Sequence, residues 1–185
     1  EERNHSLQSL EFPFSYREGQ RKMVSSVYHT IGASRQIFIQ APTGVGKTMS
    51  TIFPAVRAVG EGKGETIFYL TAKTITRTVA QEAFEVLREK GMKYKVVTIT
   101  AKEKLCFMDE TKCDPVHCPY ARGHFDRVND AVYELWTTKS RYDRETIREQ
   151  AEKWQVCPFE MCLDLSVWVD AVICDYNYVF DPTVH

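Results

Sequence analysis

An apolar run from Gln36 to Ala41 leads directly into Pro42-Thr43-Gly44-Val45-Gly46-Lys47-Thr48, and an amphipathic segment opens at Lys47. This order of strand, glycine loop and helix constrains the chain more than any other feature, because it is the context that makes a phosphate-binding loop credible. Glycines at 44 and 46 let the backbone curl so that successive amides face phosphate oxygens. The start of the following helix adds the positive end of its dipole. Lys47 is placed to reach the β- and γ-phosphates and the Thr48 hydroxyl to ligate Mg²⁺, so these two are the candidates for acting on the nucleotide itself. The strict pattern opens on Gly where this chain has Ala41. A merely structural glycine turn is the competing reading, and the flanking strand and helix weigh against it. Pro42 to Thr48 are therefore expected to bind nucleotide.

The surrounding pattern extends this picture. The stretch through Phe14 is polar and reads as extended, since Pro13 disfavours helix at Phe12. Ser15 and Glu18 have capping-box spacing, and Met23, Val24, Val27, Tyr28 and Ile31 follow at helical intervals up to Gly32. The Gln36–Ala41 run reads as a buried strand. Helix is expected from Lys47 until Gly60, Gly62 and Gly64, a strand over Thr66–Thr71, a helix over Thr76–Lys90 and a strand over Tyr94–Ile99. Such alternation predicts a parallel sheet with crossover helices. After Thr100 strand-like alternation fades while cysteines and charges become dense. Helical patches are expected at His124–Trp136 and Asp143–Trp154, with Trp136, Trp154 and Trp168 read as core residues. An apolar strand returns at Asp170–Asp175.

Composition bounds the partners. The 185 residues are 43% hydrophobic and 26% charged, enough for a core in one domain carrying a small insertion. Lys and Arg total 24 against 25 Asp and Glu, so a nucleic-acid site has to be a local groove rather than a basic face. No apolar run reaches the eighteen or so residues that span a bilayer, and no membrane partner is expected. Glu1-Glu2-Arg3-Asn4-His5 has neither the basic nor the apolar region of a signal peptide, so a cytoplasmic location is expected, nucleoid-associated in a bacterium or nuclear in a eukaryote.

All six cysteines fall in the second half, at 106, 113, 118, 157, 162 and 174. Without a secretory signal, metal or cluster ligation is a better account than disulfides. Cys106, Cys113 and Cys118 cluster, Cys157 is distant, and both Cys118 and Cys157 precede proline as cluster ligands often do. Four thiolates suit a tetrahedral zinc or a [4Fe–4S] cluster, although the C-x2-C knuckle common in zinc sites is missing. Cys162 competes with Cys157 for the fourth position, while Cys174 reads as a small core hydrophobe. Among the histidines, His117 beside Cys118 is the plausible cluster neighbour. Lys102, Lys104, Lys112, Arg122 and Arg127 lie near the cysteines and read equally as a solvated face or a phosphate-contacting lip.

Together these features resemble the superfamily 2 helicases with an iron–sulfur domain, the XPD/DinG group. Phe12-Pro13-Phe14 through Tyr16-Arg17-Glu18-Gly19-Gln20 is similar to the family's aromatic-proline segment and its adenine motif. Ala41–Thr48 resembles motif I, and Tyr69-Leu70-Thr71-Ala72-Lys73-Thr74 stands in the place of motif Ia. Leu105-Cys106, with Lys102 ahead of it, resembles the first cluster-ligand site, and Cys157-Pro158-Phe159 the fourth. Tyr176 to Pro182 resembles the segment that precedes the family's arch domain. The resemblance implies an α/β RecA-like P-loop domain with a parallel sheet, interrupted by a small, mostly helical four-cysteine iron–sulfur subdomain. Its expected parts are motor domain 1 over 1–105, the cluster subdomain over 106–165 and a return to the motor over 166–185. It implies ATP and Mg²⁺ as cofactors, with Arg17 and Gln20 on the adenine, and a [4Fe–4S] cluster on Cys106, Cys113, Cys118 and Cys157. It further implies 5′-to-3′ unwinding of DNA, with single-stranded or forked DNA along the groove of motor and cluster and Thr71, Lys73 and Lys102 as contacts.

A hydrolysing NTPase also needs an acidic pair to organise Mg²⁺ and water. No Asp-Glu follows an apolar strand here: Asp109-Glu110 lies in the cysteine segment and Asp175 ends a strand without an adjacent Glu. In the resembling family that pair and the second motor domain come later, so they and other C-terminal helicase domains are expected in a complete protein. The rival reading is a non-catalytic nucleotide- or DNA-binding module with a structural four-cysteine zinc site.

Overall fold

The computed structural model describes residues 1–181 as an α/β protein whose described residues divide into two compact units, Glu1–Tyr94 and Lys95 onward.

The first unit opens with α1 (Glu2–Gln8), where an extended stretch was expected. No apolar periodicity announces this helix; contacts far along the chain hold it. Leu7 is fully buried, its Cβ lies 2.6 Å from where a Cβ on Gly60 would sit, and Gln8 Nε2 donates to the Gly60 carbonyl at 2.6 Å. Helix α2 (Gln20–Gly32) begins five residues after the expected Ser15 cap. Gly19, in the left-handed region at φ 73°, starts it, and the Gln20 carboxamide oxygen accepts the Arg17 N–H at 3.0 Å. Met23, Val24 and Val27 form its buried stripe. Helix α3 (Lys47–Gly60) buries Met49, Ile52, Phe53, Val56 and Val59 at the spacing of one helix face, in keeping with the sequence reading. Strand β1 (Ile67–Thr71) and helix α4 (Thr74–Glu89) follow, the helix burying Ala80, Ala83, Phe84 and Leu87.

One expected strand is absent among the described residues. Gln36–Ala41 has no regular structure, and Phe38 is 95% exposed, with Ile37 and Ile39 also exposed. A strand needs a neighbour to take up its backbone groups; β-branched composition cannot report whether one is at hand. An apolar cleft of about 570 Å³ lined by Lys22, Met23, Ile37, Ile39, Pro42 and Val45 lies beside this segment.

In the second unit, β2 (Val96–Thr98) is flanked by two parallel strands. It pairs on one side with β3 (Arg141–Tyr142), Val96 opposite Arg141, and on the other with β4 (Ala171–Asp175), Val96 opposite Ala171 and Thr98 opposite Ile173. All of β2 and the first four residues of β4 are buried, the continuous apolar run of a parallel strand covered on both faces. Between β2 and β4 run helices α5 (Lys102–Leu105), α6 (His124–Thr138), α7 (Arg144–Trp154) and α8 (Pro158–Ser166), and α9 (Asn177–Phe180) follows β4. Helices α6 and α7 match their expected positions, whereas α5, α8, α9 and the two-residue β3 carry too little periodicity to be read.

The tryptophans differ from expectation. Trp168 lies after α8 and is 66% exposed; its carbonyl accepts the Trp136 indole N–H at 2.8 Å. Trp154 donates to Glu134 at 2.6 Å. Pro182, the last residue of the stretch that resembles the segment preceding the arch domain, lies outside the described residues.

Candidate nucleotide loop and cysteine cavity

The phosphate loop lies in the first unit, between the irregular 36–41 segment and α3. Gly44 and Gly46 both take positive φ, at 88° and 79°, as a loop curling its amides inward requires. Gly46 is also the residue from which α3 starts. The Lys47 ammonium stays over the loop, donating to the carbonyls of Ala41 at 2.9 Å and Pro42 at 3.2 Å. Thr48 is the second helical residue and half-buried; Pro42, Thr43 and Gly44 are exposed, and Val45 is half-buried.

The geometry brings Arg17 and Gln20 to this loop. The Arg17 guanidinium donates to the Gly44 carbonyl. Gln20 is buried, and its amide nitrogen stands 2.5 Å from where a side-chain carbon on residue 46 would sit. The Gln20 oxygen meanwhile holds the Arg17 backbone. Both residues of the expected adenine motif are therefore joined to the loop, one through its carbonyl and one by packing.

Of the expected nucleic-acid contacts, Thr71 ends β1 and is buried at 5% exposure, so its side chain presents almost no surface. Lys73 precedes α4 and is exposed. Lys102, in the second unit, is half-buried, 3.3 Å from a Glu160 carboxylate oxygen and 5.2 Å from the Phe159 ring centre. Burial pushes its ammonium down, but interaction with Cys113 and Glu160 outweighs this and leaves it above the usual lysine value.

The second unit holds a cavity of about 250 Å³ lined by Cys106, Cys113, Cys118 and Cys157 together with Phe107, Tyr120, Phe125, Phe159, His124 and the charged Lys102, Lys112 and Glu160. The other cysteines lie elsewhere. Cys162 is fully buried in α8, its sulfur 3.9 Å from the Thr98 carbonyl, and burial pushes its thiol up to about 12. Cys174 is buried in β4. Between the two competitors for the fourth position, Cys157 is thus the one that faces the common cavity. Among the described residues, no three His, Cys, Asp or Glu side chains converge closely enough to hold one metal ion.

Several side chains that frame this cavity carry no signature in the sequence. Arg148 of α7 donates to the carbonyls of Leu105 at 2.6 Å and Cys106 at 3.1 Å while stacking on Phe107. Arg122 donates to Pro115 and Val116, and Arg127 to Trp154 and Gln155, so two of the cations read as either a solvated face or a phosphate-contacting lip tie the loops of the segment together. His117 is turned to Asp114, with Nδ1 2.8 Å from both carboxylate oxygens. His124 is the histidine at the cavity. It is 4% exposed, its Nδ1 accepts the Cys157 N–H at 3.2 Å, and burial lowers its affinity for a second proton. Burial also raises the Cys157 thiol, against the pull of the first amides of α8. Asp175, the strand-end carboxylate, accepts the Asn177 N–H at 2.9 Å.

Comparison with known proteins finds two family matches. The family described as DEAD/DEAH box helicase matches residues 17–120, and DEAD_2 matches residues 71–185. A probable ATP-dependent helicase of Methanocaldococcus jannaschii is 24% identical over 168 residues, covering 89% of this chain and 24% of that protein. A regulator of telomere elongation helicase 1 homolog of Caenorhabditis briggsae is 22% identical over 96% of this chain and 22% of its own length. The chain spans about a quarter of the length of these curated relatives. With both family matches covering more than half of it and the glycine loop inside the first, the chain belongs to the DEAD/DEAH box helicase family and is XPD/DinG-like.

Proposed function

We propose that this chain is the nucleotide-binding first motor portion of an ATP-dependent, 5′-to-3′ DNA helicase, interrupted over 106–165 by a [4Fe–4S] subdomain. Gly44, Gly46, Lys47 and Thr48 hold the triphosphate with Mg²⁺, and Arg17 and Gln20 face the adenine. Lys73 and Lys102 contribute phosphate contacts to single-stranded DNA.

The observation that carries the cluster reading is the shared cavity: four cysteines spread over residues 106 to 157 line one apolar space, and the two remaining cysteines do not. The residues fit such a group. Around a single zinc with bonds of about 2.3 Å, four sulfurs crowd onto one point. In a [4Fe–4S] cluster each thiolate takes its own iron, so the sulfurs stand apart around a larger body. A cavity of about 250 Å³ between the four thiols leaves room for the larger body, which supports the second arrangement. When bound, the cluster would supply a rigid staple and redox chemistry to this segment.

The test is anaerobic purification followed by iron, sulfide and zinc analysis. Near four irons and four sulfides per chain with brown absorbance near 400 nm is expected, and each of Cys106→Ser, Cys113→Ser, Cys118→Ser and Cys157→Ser should lose them while Cys174→Ser keeps them. Colourless protein with stoichiometric zinc and no iron would overturn the reading.

A further inference from the structure

His124 has one nitrogen accounted for and one that is not. The Cys157 backbone N–H donates to Nδ1 at 3.2 Å, so Nδ1 carries a lone pair and the ring is not imidazolium. A neutral imidazole then bears its proton on Nε2. That N–H is buried, and it has no hydrogen-bond partner among the described residues. A donor hidden from water without an acceptor costs roughly 1–3 kcal/mol, which makes an orphan of this kind a pointer to something missing. The ring lines the same cavity as Cys106, Cys113, Cys118 and Cys157. It is locked there at both ends: His124 is the first residue of α6, and its partner Cys157 is the residue that caps α8.

We infer that His124 donates Nε2–H to a sulfur of the group held by the four cysteines, and so fixes the geometry of the Cys157 ligand and raises the group's reduction potential. The inference rests on the cluster reading above. Electron-rich thiolate or sulfide is the acceptor chemistry that the four cysteines bring to this cavity; its lining also includes the charged Lys102, Lys112 and Glu160, but no carboxylate among the described residues accepts from Nε2. A hydrogen bond to such a sulfur stabilises the more negative, reduced state, so removing it favours the oxidised one.

Two conservative variants separate the two nitrogens. His124→Asn puts a carboxamide oxygen near Nδ1, keeping the acceptor for Cys157 but losing the remote donor. His124→Gln carries an amide N–H out to the position of Nε2. In anaerobically prepared protein, Asn at 124 should retain iron and shift the reduction equilibrium about tenfold toward the oxidised form, about 59 mV for one electron. Gln at 124 should restore most of that shift. In the unaltered protein, labelled with ¹⁵N-histidine and reduced, pulsed paramagnetic resonance should show one histidine nitrogen and one exchangeable proton coupled to the cluster; this measurement stands even where a variant fails to fold. Full iron with an unchanged potential in His124→Asn, or no histidine coupling in the unaltered protein, overturns the inference while leaving the cluster in place. Absence of iron from the unaltered protein refutes the cluster reading, and this inference with it.

Discussion

Gly46 shows how a single residue carries the nucleotide site. Its φ of 79° would strain any residue with a Cβ, and that Cβ would also press on the Gln20 amide at 2.5 Å. Backbone strain of this kind costs roughly 1–2 kcal/mol. The collision falls on the far end of a flexible side chain, which is free to move, but the group that moves is the one expected to read the base. Gly46→Ala should therefore weaken ATP binding by calorimetry well beyond its effect on thermal stability. Coupling with Gln20→Ala should be on the order of 0.5–3 kcal/mol, since both act through one contact. Strictly additive losses would show that Gln20 and the loop bind independently. At this scale the loop was readable from the order of its own glycines and lysine, and Arg17 and Gln20 were named through the family resemblance; the structure sets both beside the loop. His124, Arg127 and Arg148 were not legible in this way. Each acts on a backbone group at least 27 residues away, and no spacing rule links a lone side chain to a distant carbonyl or amide.

Helices α6 and α7 are joined through one carboxylate. Glu134 takes the indole N–H of Trp154 at 2.6 Å, the Gln150 amide at 3.2 Å and the Lys153 ammonium, and these partners, Lys153 foremost, hold its carboxyl down at about 2. Since the folded value lies below the ordinary 4.5, the stabilisation is present above 4.5 and is lost as pH falls toward 2. Glu134→Gln should thus lower the thermal midpoint at pH 6, with the difference from the unaltered protein shrinking as pH falls below 4.5. A gap constant down to pH 2.5 would refute this role. A second anchor lies at the start of α7, where Asp143 accepts from the Thr146 N–H at 3.0 Å and its hydroxyl at 2.8 Å. Asp143→Ala should cost about 1 kcal/mol in chemical denaturation, the usual magnitude of a lost N-cap. Both helices were readable beforehand because an apolar stripe recurring every three or four residues is a local property. Two of the misread elements were fixed by distant groups, α1 by Gly60 and the 36–41 segment by the lack of a neighbouring strand among the described residues, whereas the start of α2 was set locally by Gly19 in the left-handed region.

At the scale of the molecule, the phosphate loop belongs to the unit Glu1–Tyr94 and the cysteine cavity to the unit from Lys95 onward. Pro42–Thr48 has the glycine curl expected of a phosphate cradle, but among the described residues no acidic pair is placed to organise Mg²⁺ and water. Asp109-Glu110 sits in the cysteine segment with Glu110 paired to Lys112 at 2.7 Å, and the Asp175 carboxylate is occupied at the turn into α9. Phosphoryl transfer depends on such a carboxylate and on an arginine that stabilises the transferring charge; loss of the arginine alone costs on the order of 10³–10⁵ in rate. A polypeptide of these 185 residues should accordingly bind ATP, and lose that binding in Lys47→Ala, while releasing essentially no phosphate with or without single-stranded DNA. Its DNA affinity should be modest and fall steeply between 50 and 200 mM salt, as binding through a few phosphate contacts does. The measurement is phosphate release at saturating ATP, with Lys47→Ala as the control. DNA-stimulated turnover that disappears in Lys47→Ala would mean that a carboxylate within these residues, Asp175 being the first to substitute, serves the metal after all.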